Sequence, residues 1–227
     1  MKRPALIFFA RAPLPGKVKT RLSRRIGDDL ALDLYRTMGK EILTRITRPD
    51  AWDTLVFFSP REEGQLIKEW LGTEYRYLPQ RGDDLGERMH AALKDARALG
   101  HPGAVLTGSD IPELSADHIE RAFTALDSAD VVLGPAADGG YYLVGMKEPR
   151  REIFRGIEWS GGTVYRDTCQ KIVRAGLLYT AIDTLCDIDG IEDIRSLVSR
   201  QSPSPGTHDK EELPRTLRLC KSILENT

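Results

Sequence analysis

The stretch Ala104-Val105-Leu106-Thr107-Gly108-Ser109-Asp110-Ile111-Pro112-Glu113-Leu114 decides how this chain is read. It begins as a short apolar run, residues 104–106, of the kind that forms a strand buried on both faces. It then breaks into Thr107-Gly108-Ser109-Asp110, a turn that exposes a carboxylate where the strand emerges. Pro112 stops the chain from continuing in the sheet, and Ser115 opens a helix with Asp117 and His118 in its first turn. An Asp at the carboxyl end of a central parallel strand sits where open α/β sheets bind ligands. A hard carboxylate there suits Mg²⁺ or Mn²⁺ shared with phosphate oxygens. The plainer reading is an Asp that only caps the turn and the next helix, and spacing alone does not choose between them.

Outward from this strand, apolar runs alternate with helical periodicity, the pattern of a mostly parallel sheet covered on both faces. Strands are expected at 5–10, 55–58, 75–78, 104–106, 131–134, 141–145 and 177–182. The 131–134 and 141–145 pair is close enough in sequence to be antiparallel, so the sheet is mixed. Helices are expected from 20–25, over 28–48 with Leu30, Leu34, Met38, Ile42 and Ile46 on one face, and over 62–71, 87–99, 161–175 and 191–199. Residues 201–207, QSPSPGT, read as a loop or hinge, and 210–225 as an amphipathic helix that docks on its own core or on a partner, with a homo-oligomer possible. The organisation is one α/β domain over 1–200 with a hinge and helical tail over 201–227.

The totals agree with one medium α/β domain. The chain has 227 residues and a net charge of −1, which gives no global attraction to nucleic acid or an anionic membrane. No apolar run approaches the roughly 20 residues of a membrane span. The opening MKRPALIFFARAPLPG has an apolar centre below the roughly 7–15 residues of a signal peptide and is closed by Arg11, so it reads as a first strand. The three cysteines, Cys169, Cys186 and Cys220, lack CxxC spacing, which predicts free thiols in a reducing cytoplasm and no zinc site.

Three further constellations could carry chemistry. The loop RAPLPGKVKTRL packs Arg11, Lys17, Lys19 and Arg21 together, with Gly16 and the next helix offering backbone amides to an anion. Its position after the first strand favours phosphate binding over a merely solvated basic loop, although it is neither a P-loop nor a GxGxxG motif. In Asp138-Gly139-Gly140-Tyr141-Tyr142 the paired glycines let the backbone approach a ligand, and Asp138 could bind sugar hydroxyls or orient a substrate, but Asp-Gly is also an ordinary hairpin signal and the sequence favours the hairpin. In Asp187-Ile188-Asp189-Gly190, the two carboxylates of an extended segment face one side and could supply a second metal ligand, or could cap the helix that follows. Trp159, at the loop-to-helix junction WSGGT, fits a base or sugar ring, or simply the core. No Ser-His-Asp or Cys-His order points to covalent catalysis.

The ordered motifs FFARAPLPGKVKTRL, QRGDDLGERM, LTGSDIPEL, GPAADGGYYLVG, IEWSGGTV and DIDGIEDI resemble a bacterial family of nucleotide-diphospho-sugar transferases. That family is also described as rSAM/selenodomain-associated transferases or arsenosugar-biosynthesis-type glycosyltransferases, and is similar to 2-phospho-lactate guanylyltransferase. The resemblance implies a GT-A-type α/β fold and a cofactor of Mg²⁺ or Mn²⁺. It implies nucleotide phosphates on Arg11, Gly16, Lys17, Lys19 and Arg21, with Gly82 and Asp84 of the second motif beside them. Asp110 and Asp189 would hold the metal, Asp110 and Asp138 would act in catalysis, and Gly139, Gly140, Tyr141 and Trp159 would meet the substrate. The glycine-rich LxAGxGTRM opening of sugar-nucleotide pyrophosphorylases is replaced here by RAPLPGKVKTRL. The expected activity is sugar transfer from a nucleoside-diphosphate donor to a small acceptor. The alternatives are nucleotidyl transfer from a nucleoside triphosphate to a phosphorylated small molecule, with pyrophosphate release, and a nucleotide-sensing module without turnover.

Overall fold

The first strand lies between two hydrophobic cores, and the alternation of its side chains explains the architecture. The computed structural model describes residues 2–201 and 214–226. In β1 (Ala5–Arg11), Leu6, Phe8 and Ala10 enter one core while Ile7 and Phe9 enter the other. Side chains of a strand alternate in direction, so a strand apolar at every position must be covered on both faces. The remaining strands are β2 (Asp53–Ser59), β3 (Arg76–Pro79), β4 (Ala104–Thr107), β5 (Val131–Pro135), β6 (Tyr141–Met146) and β7 (Tyr179–Ala181). They form one sheet in the order β3-β2-β1-β4-β6-β5-β7.

Neighbouring strands are parallel except at β6, which runs antiparallel to both β4 and β5. The mixed, mostly parallel α/β fold expected from the sequence is therefore the fold observed. Gly145 of β6 is needed where the strand is squeezed: a Cβ there would lie 2.7 Å from Val132 and 2.8 Å from Val105.

The helices are α1 (Thr20–Ile26), α2 (Asp28–Ile46), α3 (Gly64–Leu71), α4 (Leu85–Ala98), α5 (Ala116–Ala125), α6 (Val164–Arg174), α7 (Ile191–Arg200) and α8 (Arg215–Glu225). In α2, Leu34, Met38, Ile42 and Ile46 are fully buried, as the three-to-four-residue spacing predicts. Leu30 is the exception at 44 % exposure, because the buried stripe of this helix begins at Ala31. A short 3₁₀ turn at Arg61–Glu63 precedes α3, and α6 starts at Val164, later than the expected 161, because Gly161 and Gly162 belong to the preceding turn. β7 is shorter than the expected 177–182 and exposed throughout at the sheet edge.

The tail helix α8 lies on α2 and α7, burying Leu217, Cys220 and Ile223. Glu41 of α2 accepts the backbone N–H groups of Arg215 at 2.6 Å and Thr216 at 3.0 Å, satisfying two of the donors that a helix start leaves open. The expected hinge at 201–207 falls outside the described residues beyond Gln201, as do residues 210–213 of the expected tail helix. No helix among the described residues is long and apolar enough to cross a membrane.

Candidate functional site

A crevice of about 1100 Å³ opens at the carboxyl ends of β1, β2 and β4. This is the edge at which parallel α/β sheets bind ligands. Arg11, Lys17, Lys19 and Arg21 of the first loop line it, and Asp110 and Asp189 face them. Gly82 and Tyr141 complete the set of expected site residues in its wall. Sequence reasoning missed Arg61 and Arg88, which add two cations from the turn before α3 and from α4. None of Arg11, Lys17, Arg61 and Arg88 has a carboxylate within ion-pair distance among the described residues.

The floor of the crevice is built around Lys19. Its Nζ lies 3.2 Å from Asp110 Oδ2 and 3.1 Å from Asp189 Oδ1, and its side chain is 4 % exposed. Arg21 approaches the other oxygen of Asp189 at 3.6 Å. Burial alone would lower the pKa of the Lys19 ammonium, but the two carboxylate charges and its hydrogen bonds to them outweigh that and hold it above the ordinary value. Asp187, on the same segment, has its carboxyl pushed up to about 6 by burial and by the charges of Asp189, Asp138 and Asp110.

Local chemistry fixes these groups. Asp193, in the first turn of α7, accepts the backbone N–H groups of Asp189 at 2.9 Å and Gly190 at 2.7 Å. The cap of α7 is thus supplied by Asp193, which leaves the Asp189 carboxylate free to face Lys19. Ile188 is buried between Asp187 and Asp189, and its N–H donates to the carbonyl of Asp110 at 3.2 Å. The Tyr35 hydroxyl, from α2, meets the N–H and the carbonyl of Arg11 at 3.0 Å each and accepts from Ser109 Oγ at 3.2 Å. One buried phenol therefore ties the end of β1 to the turn after β4. Burial holds that phenol above its usual pKa, so it stays protonated.

The other expected site residues lie outside the crevice wall. Gly16 has φ 66, and a Cβ there would come within 3.1 Å of Asp28 Oδ2, so its part is the shape of the loop. Asp84 caps α4 by accepting from the N–H of Glu87 at 2.7 Å. Asp138 is exposed and accepts from the N–H of Gly140 at 2.9 Å, the side-chain-to-backbone bond of an Asx turn. The close approach that Gly139 permits is to Gly162, whose carbonyl oxygen would sit 2.1 Å from a Cβ. Trp159 packs edge-on to Tyr141, with ring centroids 6.3 Å apart, and against Phe154.

The chemistry of the donor set tests the expected metal directly. Mg²⁺ takes carboxylate oxygens at about 2.0–2.1 Å and completes its shell with water and phosphate. Here the point on which Asp110 and Asp189 converge holds an ammonium with three hydrogens to donate, at 3.1–3.2 Å. No group of three or more His, Cys, Asp or Glu side chains among the described residues is arranged to hold a metal ion. Lys19 thus stands where a cation shared by those two oxygens would stand.

The profile of DUF2064, described as an uncharacterized protein conserved in bacteria, matches residues 42–161. The chain belongs to the DUF2064 family. A crystal structure from Desulfovibrio desulfuricans G20, provisionally described as a nucleotide-diphospho-sugar transferase, is 32 % identical over 100 % of this chain and 98 % of its own, with a TM-score of 0.89. The 4-diphosphocytidyl-2C-methyl-D-erythritol synthase of Anaerococcus prevotii is 12 % identical over 88 % of this chain and 97 % of its own, with a TM-score of 0.56. CMP:2-keto-3-deoxy-manno-octonic acid synthetase, complexed with CTP, is 11 % identical over 88 % of this chain and 100 % of its own, with a TM-score of 0.52. No curated protein matches. This DUF2064 chain therefore has the fold of nucleotide-diphospho-sugar transferases and nucleotidyltransferases. The family match spans Asp110 but neither the basic loop nor Asp189, which the Desulfovibrio structure covers.

Proposed function

We propose that the protein is a transferase that binds the phosphate chain of a nucleotide in this crevice and transfers a group from it to a small acceptor. The observation that carries the reading is the excess of cations. Lys19 and Arg21 are matched by Asp110 and Asp189, whereas Arg11, Lys17, Arg61 and Arg88 line the same crevice without a carboxylate partner. Four unmatched cations around one concave site repel one another, and a polyphosphate relieves that repulsion. The Desulfovibrio relative, provisionally described as a nucleotide-diphospho-sugar transferase, and the synthetase complexed with CTP support a nucleotide as the source of the phosphates.

Charge favours nucleotidyl transfer. A triphosphate carries more negative charge than a diphospho-sugar, and a phosphorylated acceptor adds to it, so this pair of substrates best matches the unpaired cations. A phosphate oxygen of the acceptor attacks the α-phosphorus, the bond from that phosphorus to the β-bridging oxygen breaks, and pyrophosphate leaves. Arg11 and Lys17 screen the charge that builds on the leaving group, and the buried Lys19 fixes the floor against which the phosphates lie. Catalysis of this kind is mostly positioning and charge stabilisation. Sugar transfer is the second reading, favoured by the 32 % identical relative. In it an acceptor oxygen attacks the anomeric carbon and a nucleoside diphosphate departs.

One experiment separates the readings. The protein is incubated with each nucleoside triphosphate and a panel of phosphorylated acceptors, and in parallel with UDP- and GDP-sugars and hydroxyl acceptors. Pyrophosphate release that depends on the acceptor supports nucleotidyl transfer. Nucleoside diphosphate release from a sugar nucleotide supports the second reading. Saturable nucleotide binding without either product makes the protein a sensing module, and no nucleotide binding at all overturns the proposal.

A further inference from the structure

We propose that Lys19 is the resident counter-cation of the Asp110–Asp189 pair and excludes Mg²⁺ and Mn²⁺ from it. The first argument is backbone geometry. Lys19 has φ 46 and ψ 44, and it is the one non-glycine with positive φ among the described residues. The left-handed region is strained for a residue with a Cβ, which is why glycine normally fills it. The chain places a lysine there, immediately before α1, and the conformation sends the side chain down between two acidic residues instead of out to solvent. The three other cations of the loop, Arg11, Lys17 and Arg21, are exposed.

The second argument is charge. Lys19 and Arg21 together neutralise Asp110 and Asp189. Adding a divalent ion to that set would bring a third cation against two carboxylates already matched in charge, beside a lysine side chain that is only 4 % exposed. The third argument is space. The ammonium touches one oxygen of each carboxylate, so a metal ligated by those same oxygens would stand where Nζ stands. Lysine and metal are therefore alternative occupants, and the fold has built one of them in. The negative charge of a bound phosphate chain is then met by side chains, from Lys19 below and Arg11 and Lys17 at the rim.

The inference rests on the geometry of three side chains and not on the transferase reading. Its test measures metal occupancy in nucleotide-free protein, so either can fail without the other. Mn²⁺ is titrated into the wild type, Lys19→Gln and Lys19→Gln/Asp189→Asn, and the free ion is followed by its electron paramagnetic resonance signal. The expected result is that Lys19→Gln binds Mn²⁺ at least ten-fold more tightly than the wild type and that the added Asp189→Asn abolishes the gain. Equal affinity in the wild type and Lys19→Gln, whatever its value, overturns the proposal. Should Lys19→Gln fail to fold, the comparison of the wild type with Asp189→Asn still decides. A wild-type Mn²⁺ site that Asp189→Asn removes overturns the proposal, and indistinguishable titrations of the two support it.

Discussion

The backbone N–H of Ile188 donates to the carbonyl of Asp110 at 3.2 Å, joining the turn after β4 to the segment that carries Asp189. This single bond sets the spacing of the two carboxylates that share Lys19. It is secured from below, because the Ile188 side chain is 1 % exposed in the core that also holds Ile194 and Leu197 of α7. Packing and charge placement are thus coupled through one residue.

Ile188→Ala is expected to lower stability by about 3 kcal/mol, within the range for an isoleucine truncated in a well-packed core, and Ile188→Val by about 1 kcal/mol. Urea unfolding curves at neutral pH measure both. Because the cavity opens beneath Asp187 and Asp189, the alanine variant is also expected to weaken nucleotide binding, whereas the valine variant leaves it near the wild-type value. A loss of stability with no change in affinity would separate the core from the site.

Arg61 and Arg88 reach the crevice without a carboxylate partner, so each is expected to contribute directly to anion binding. Arg61→Ala and Arg88→Ala should each weaken the binding of a nucleoside triphosphate by about ten-fold, equivalent to roughly 1.4 kcal/mol, with little effect on melting temperature. Arg195→Ala, whose guanidinium pairs with Glu192 on the exposed side of α7, is the control and should bind normally. Isothermal titration at two salt concentrations checks the result, since the lost contact is electrostatic and should matter less at high salt.

His118 makes the stability of the start of α5 depend on pH. Its Nδ1 accepts the backbone N–H of Ser115 at 3.2 Å and lies 2.7 Å from Ser115 Oγ, an arrangement that requires the neutral ring. Burial, and then the charge of Arg121, hold its pKa below the ordinary 6.5, against the opposing pull of Asp183 and Asp117. A base whose pKa is lowered on folding contributes stability that is fully present above about pH 6.5 and is lost as pH falls through the folded value. The melting-temperature difference between the wild type and His118→Gln should therefore shrink or reverse on going from pH 8 to pH 5.5. A difference that stays constant over that interval would show that the ring does not titrate against the cap.

Much of the fold was legible because it depends on local pattern. The apolar runs of β1 and β4 had to be buried on both faces, the stripe of α2 had to face the sheet, and the Gly108-Ser109-Asp110 turn had to end the central strand. Within the site, the basic loop and Asp110 were legible from their places at strand ends. Asp84 and Asp138 were less so, because an Asp that caps a helix or closes an Asx turn has the same sequence signature as one that meets a ligand. Tyr35, Arg61 and Arg88 carried no local signal, since a helix interior, a short turn and a charged helix face bear such residues routinely.

The sequence by itself determined that acidic and basic residues would emerge at the carboxyl edge of a parallel sheet, because strand periodicity and chain breakers act over a few residues. Only the tertiary structure decided which charge meets which. Lys19 is 91 residues from Asp110 and 170 from Asp189, and nothing in local spacing sets those distances. They follow from the side-by-side placement of β1 and β4 and from the bond between Ile188 and Asp110, so the partner of a buried charge is a property of the packed molecule.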